Sequence, residues 1–295
     1  SRVGIGELIE ARTPASLAVL LYRSGSSTPA NTDLFEELRR VPGSSPVIML
    51  APGGGNLLAY DALIRSLDED QAIVGFRLPG ADGRSDPVST IVEQADRILP
   101  QLLAMVPPAD GFELVGWSTG GLLALELANR LESEGYPVAF IAMIDTIYPG
   151  FQMASQPGKA DKYRRLFTDG GVSAVRDHAR HRLAIRIRES KEMARMRLAE
   201  RTRDNVDAKV IERQLFEIAF AAAESYRPRV FDGPVVFYGA SGTDTARTVV
   251  PWGEHFARVE VVIVEGEHAE ENAILDAERV GPLARHLQKL LTANH

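Results

Sequence analysis

The sequence predicts an α/β fold, a mostly parallel sheet flanked by helices, on three observations. Short β-branched runs recur along the chain, amphipathic stretches fill the gaps between them, and each run ends in a glycine-rich or polar loop. The runs are VIML (47–50), AIVGF (72–76), ELV (113–115), VAFIAMI (138–144), VVFY (235–238) and VEVVIV (259–264). Each reads as a buried strand, because continuous apolar runs bounded by turn signals mark strands covered on both faces. Segments 91–105, with Ile91, Ile98 and Leu102 on one face, and 122–131 read as helices between strands. Alternation of this kind is the mark of βαβ units. The strand-end loops are APGGGN, RLPGADGRSD, GWSTGG, DTIYPG, ASGTDT and EGEH. Ligands bind at that end of such sheets.

Composition narrows the function classes. A chain of 295 residues is long enough for one large α/β domain or two small ones. A net charge of −7 argues against nucleic acid as a partner. The absence of cysteine removes disulfides, thiolate metal sites and cysteine nucleophiles together, and fits a reducing, cytoplasmic setting. The longest apolar run, 138–144, is too short to span a membrane. The opening SRVGIGELIE has neither the basic nor the apolar region of a signal peptide, and it lacks an initiator Met, as a piece of a longer polypeptide would.

Residues 150–230 break the rhythm, with helical patterns and no strand, and read as an insertion between two strands. Between Lys159 and Arg203 there are fourteen Lys/Arg against six Asp/Glu, a local positive excess in an acidic chain. One reading is a solvated helical surface, the usual role of a charge run. The other is a basic lid that attracts an acidic partner.

The centre of interest is GWSTGG. A strand leads into Gly116-Trp117-Ser118-Thr119-Gly120-Gly121 and a helix leaves it. That is the context of a nucleophile elbow, where small flanking residues let the turn close. An ordinary N-cap serine would account for Ser118 but not for three glycines around it. A serine nucleophile needs a base. Of six histidines, His178 and His181 fall in the insertion, His286 in a helical stretch, His295 at the end, and His255 in a polar stretch before the last strand. His268 follows the last strand, where the base belongs in a Ser, acid, His order. Two acids end strands: Asp145 after 138–144 and Asp244 after 235–238. Position alone leaves both open, and each also suits a polar turn. An oxyanion hole needs two backbone N–H donors, one from Thr119 and one from the glycine loop at Gly53. PGGGN is not GxGxxG and no Walker A is present, which argues against nucleotide binding.

Together APGGGN-x-LAY, GWSTGG, LESEGYPVAFIAMIDTIYPG and EGEH resemble the thioesterase domains that end polyketide synthases and nonribosomal peptide synthetases. The likeness runs over roughly residues 34–290. It implies an α/β-hydrolase fold with 150–230 as a helical lid over the acyl channel. It also favours Asp145 as the acid, whereas related stand-alone type II editing thioesterases carry it one strand later, which would be Asp244. The chain departs from the family at Ala51, where many members have His, and at Thr119, often a larger apolar residue. After His268, AEENAILD lacks the usual apolar follow-up.

The stretch LIEARTPASLAVLL (8–21) is similar to the last helices of an acyl or peptidyl carrier domain, and Thr13 and Pro14 suit a helix start there. SGSSTPAN (24–31) then reads as a linker. The expected organisation is a carrier tail and linker over 1–33 and a thioesterase domain over 34–295. The resemblance implies release of a carrier-bound polyketide or peptide chain through an acyl-serine, by hydrolysis or by cyclisation or esterification. Such an enzyme has no cofactor or metal of its own, because the substrate arrives on a carrier's phosphopantetheine. Its implied partner is an upstream carrier domain, with a homodimer left open. The rival readings are a type II editing thioesterase and a non-catalytic module that docks a carrier.

Overall fold

A computed structural model describes residues 34–83, 85–105, 111–149, 208–243, 249–268 and 273–293. In chain order these form β1 (Phe35–Arg39), β2 (Val47–Leu50), a 3-10 turn (Leu57–Tyr60), α1 (Asp61–Ser66), β3 (Ile73–Phe76), α2 (Ile91–Met105) and β4 (Phe112–Trp117). There follow α3 (Thr119–Ser133), β5 (Val138–Ile144), α4 (Ala208–Ser225), β6 (Phe231–Ala240), a second 3-10 turn (Val250–Glu254), β7 (Phe256–Val264) and α5 (Gly281–Ala293). The strands make one seven-stranded sheet in the order β1-β3-β2-β4-β5-β6-β7. All pairs are parallel except β1 with β3.

The six sequence-predicted strands are all present, because a strand covered on both faces leaves an unbroken apolar run to read. All four residues of β2 and of β3 are buried. The sequence does not predict β1, FEELR, which carries three charged residues, Glu36, Glu37 and Arg39, on the sheet's antiparallel edge and ties Glu36 to Arg77 at 3.1 Å. β6 starts four residues before its predicted run, hidden by Gly233 and Pro234 where the register against β7 shifts. α3 starts at Thr119 rather than at 122, since Gly120 and Gly121 are poor helix formers that sit inside it for packing reasons.

Strand order sets the site. The chain leaves β2 toward β3 on one side and leaves β4 toward β5 on the other, so the ends of β2 and β4 flank a topological switch point. Crevices at such points are where open α/β sheets bind ligands. The loop 51–56 and the turn at Ser118 both open there. Of the 150–230 insertion, residues 208–230 are described and include α4, which packs against α3 and α2. The basic stretch 159–203, Asp244, the segment 8–21 and the linker 24–31 lie outside the described residues.

Candidate active site

The turn after β4 is strained by design of its neighbours. Ser118 sits at φ 55°, ψ −125°, a conformation side chains rarely adopt and one costing on the order of 1–3 kcal/mol. It persists because the backbone closes around it. A Cβ on Gly116 would lie 2.2 Å from the Gly120 carbonyl oxygen, and one on Gly120 would lie 2.5 Å from the Leu50 carbonyl oxygen. Glycine alone fits at both positions. The Ser118 amide donates to the Ile144 carbonyl at 2.9 Å, locking the turn to the end of β5. The Ser118 side chain makes no capping bond to α3, so its hydroxyl is free to face elsewhere.

That hydroxyl faces His268. Ser118 Oγ lies 3.1 Å from His268 Nε2, and His268 Nδ1 lies 2.6 Å from Asp145 Oδ2. Asp145 is fully buried and also at positive φ, 42°, immediately after β5. Its amide donates to the Tyr238 carbonyl at 2.6 Å. Its carboxylate is held by two further donors. The Ala240 N–H donates to Oδ1 at 3.1 Å, and the Thr243 hydroxyl donates to Oδ2 at 3.3 Å. A buried carboxylate with these donors and a ring N–H has its charge satisfied.

Since an ionised carboxylate only accepts, His268 carries its proton on Nδ1, leaving the Nε2 lone pair toward the Ser118 hydroxyl. The loop bearing His268 is fastened to the end of β6. Ser241 N–H donates to Val264 O at 2.8 Å, Gly242 N–H to Gly266 O at 2.9 Å, and Gly266 N–H to Ser241 Oγ at 3.2 Å. The Trp117 ring lies beside the imidazole, centroids 5.8 Å apart.

The two residues expected to supply backbone donors lie close together. Thr119 is the first residue of α3 and buried, and a Cβ on Gly53 would stand 3.6 Å from Thr119 Oγ1. Ser118 and Thr119 therefore lie at the positive end of the α3 dipole, which favours negative charge. Of the residues singled out from sequence, Ser118, Asp145, His268, Thr119 and Gly53 come together. His286 lies instead against Tyr238 and Glu260. His255 bonds the Tyr148 hydroxyl at 2.9 Å.

A cleft open to solvent adjoins Ser118. Leu122, Ile147, Tyr148, Phe220 and Ala223 give it mostly apolar walls. The Tyr148 wall is fixed by His255, by an edge-on contact with Trp252 at 5.0 Å, and by the Trp252 Nε1–H bond to the Thr146 carbonyl at 3.2 Å. Sequence reasoning missed Thr243, Tyr148 and Tyr60. Only the SGTDT loop carried a signal for the first, a small hydroxyl just past a strand end.

An open parallel sheet with this elbow at its switch point defines the α/β-hydrolase class. Within it, the chain belongs to the thioesterase domain family, whose model matches residues 45–290. Among curated proteins, it is 32% identical over 147 residues to a dimodular nonribosomal peptide synthase of Bacillus subtilis (strain 168), covering 50% of this chain and 6% of that one. It is 30% identical over 149 residues to enterobactin synthase component F of Escherichia coli (strain K12), covering 50% of this chain and 11% of that one. The chain thus spans a small fraction of these relatives. Among solved structures, the NocB thioesterase domain in covalent complex with a fluorophosphonate nocardicin G analog superposes with TM-score 0.58 at 22% identity, over 84% of this chain and 95% of that one. YbtT, a type II thioesterase from a yersiniabactin pathway, gives TM-score 0.60 at 17% identity, over 88% and 99%. These likenesses are of fold. No helix among the described residues is long and apolar enough to cross a membrane.

Proposed function

We propose that this domain releases an acyl or peptidyl chain from a carrier's phosphopantetheine thiol through an acyl-serine. The observation that carries this is the unbroken hydrogen-bond chain Ser118 Oγ, His268 Nε2, His268 Nδ1, Asp145 Oδ2, ending at a strained serine beside an apolar cleft. His268 Nε2 takes the Ser118 proton as Oγ bonds to the thioester carbonyl carbon. Asp145 holds the ring in the required tautomer and stabilises the imidazolium. The N–H groups near Gly53 and at Thr119 bind the oxyanion. The C–S bond then breaks, and the leaving sulfur takes the proton from His268.

In the second half, His268 deprotonates the acceptor that attacks the acyl-serine, the C–Oγ bond breaks, and the imidazolium returns the proton to Ser118 Oγ. Water gives a free acid, and a hydroxyl or amine of the chain gives a lactone or lactam. The mostly apolar walls of the cleft suit an acyl chain, which gains by covering them. The carrier domain is the partner this reading requires, no cofactor is needed, and the cytoplasm is where such synthetases would present it. The type II editing reading shares the fold but expects Asp244 as the acid. The bond from Asp145 to His268 favours the chain-terminating reading.

The test is direct. The protein is mixed with an S-acyl N-acetylcysteamine thioester, quenched early, and read by intact mass and peptide digest. An acyl adduct on Ser118, absent from Ser118→Ala, is the expected result. Turnover that survives Ser118→Ala would sink the reading.

A further inference from the structure

At the switch point one hydroxyl ties the ends of two strands together. The amides of Val47 and Ala51 donate to Ala72, just before β3, and to Phe76 at its end, so the alternate residues Ile48 and Leu50 turn their polar groups toward β4. Leu50 lies opposite Gly116. The Leu50 carbonyl and the Trp117 N–H face each other across these two strands, and the Tyr60 hydroxyl bonds both. It accepts from the Trp117 N–H at 2.7 Å and donates to the Leu50 carbonyl at 2.7 Å. No later rung can form, because Pro52 has no N–H to give.

The phenol is well placed to hold that junction. Tyr60 is fully buried, and burial raises its hydroxyl well above the usual tyrosine range, so the proton it donates stays on. Its backbone sits in the 3-10 turn that Asn56 caps through the Leu58 N–H at 2.8 Å, directly after the glycine loop. Two atoms of strand spacing therefore depend on one oxygen. Leu50 leads within three residues to Gly53, and Trp117 within two to Thr119, the two proposed oxyanion donors.

We infer that Tyr60 is a positioning residue for the oxyanion hole, setting the separation of the Gly53 and Thr119 donors through the Leu50 carbonyl and the Trp117 amide. This rests on the acyl-serine reading above. A donor moved by a fraction of an ångström still lets substrate bind but meets the oxyanion poorly, so the effect belongs to the transition state.

The experiment compares wild type, Tyr60→Phe and a variant with 4-aminophenylalanine at position 60, which keeps donors for Leu50 but is a poor acceptor for Trp117. Each is assayed with the N-acetylcysteamine thioester, and for binding of a trifluoromethyl ketone, which forms a reversible tetrahedral adduct, and of the matching unreactive amide. For Tyr60→Phe we expect kcat to fall about 10- to 100-fold with KM within about twofold. Ketone affinity should fall in parallel with kcat while amide affinity holds. The amino variant should show the same pattern, more weakly. A lowered melting temperature with unchanged kcat and ketone affinity would make Tyr60 merely structural and overturn the inference. Should Tyr60→Phe not fold, wild-type ketone affinity in the folded amino variant overturns it equally. Wild type that forms no Ser118 adduct would fail the acyl-serine reading and this one with it. Normal wild-type acylation with indifferent variants fails this one alone.

Discussion

Among the described residues, two chains of hydroxyl, imidazole and carboxylate can be compared, and one of them adjoins a cleft. Ser118, His268 and Asp145 form the first. The second joins Tyr238 Oη to His286 Nδ1 at 2.9 Å and His286 Nε2 to Glu260 Oε1 at 3.2 Å. In both the hydroxyl meets one ring nitrogen and the carboxylate the other. Both imidazoles are even equally exposed, at 27%. The difference lies at the ends. Asp145 is 0% exposed and held by backbone and side-chain donors, whereas Glu260 is 55% exposed and shares its charge with water. Ser118 stands on a strained turn beside a cleft, whereas Tyr238 is fully buried within β6, where burial raises its hydroxyl well above the ordinary range. A relay alone is thus no site. Pre-organisation of the acid and access to the hydroxyl separate the two.

Breaking the first chain at its acid has the largest expected effect. Asp145→Asn removes the charge that orients His268, and kcat should fall by about 10³- to 10⁴-fold in steady-state thioester assays. Asp244→Asn serves as its control. A greater loss from Asp244→Asn would move the acid to the later strand and revive the editing reading. Thr243→Val trims one donor from the Asp145 carboxylate, and a several-fold loss, about 3- to 10-fold in kcat, is expected. The second chain gives the smallest effect on turnover. His286→Phe leaves the buried Tyr238 hydroxyl unpartnered and should cost about 1–3 kcal/mol in denaturant unfolding. Its kcat/KM should stay within about twofold, as for a site remote from the chemistry. A large loss of activity there would dissolve the contrast.

The sequence made the first chain far more legible than its supports. Parallel strands buried on both faces announce themselves as apolar runs, and Ser118, Asp145, Asp244 and His268 each stand just after one. The residue pattern could not rank Asp145 against Asp244, because both follow strands and both suit polar turns. Asp145 is hydrogen-bonded to Ala240 and Thr243, about a hundred residues away in the chain, which no local pattern could show. β1 was illegible for the converse reason. An edge strand with charge on its open side lacks the apolar run that marks its neighbours. Tyr60 was hidden too, since its partners Leu50 and Trp117 meet it only once β2 and β4 are paired.

The bonds from Asp145 and Ser118 to His268 span 123 and 150 residues of chain. Contacts so distant in sequence close late, after the loops between them have been ordered. During synthesis, which proceeds from the N-terminus, the serine turn, its glycines and Asp145 all emerge well before the segment carrying His268. Under the proposed acyl-serine reading, a nascent chain holds the serine before its base, and recovered thioester cleavage after refolding would report completion of the whole sheet rather than of its first half.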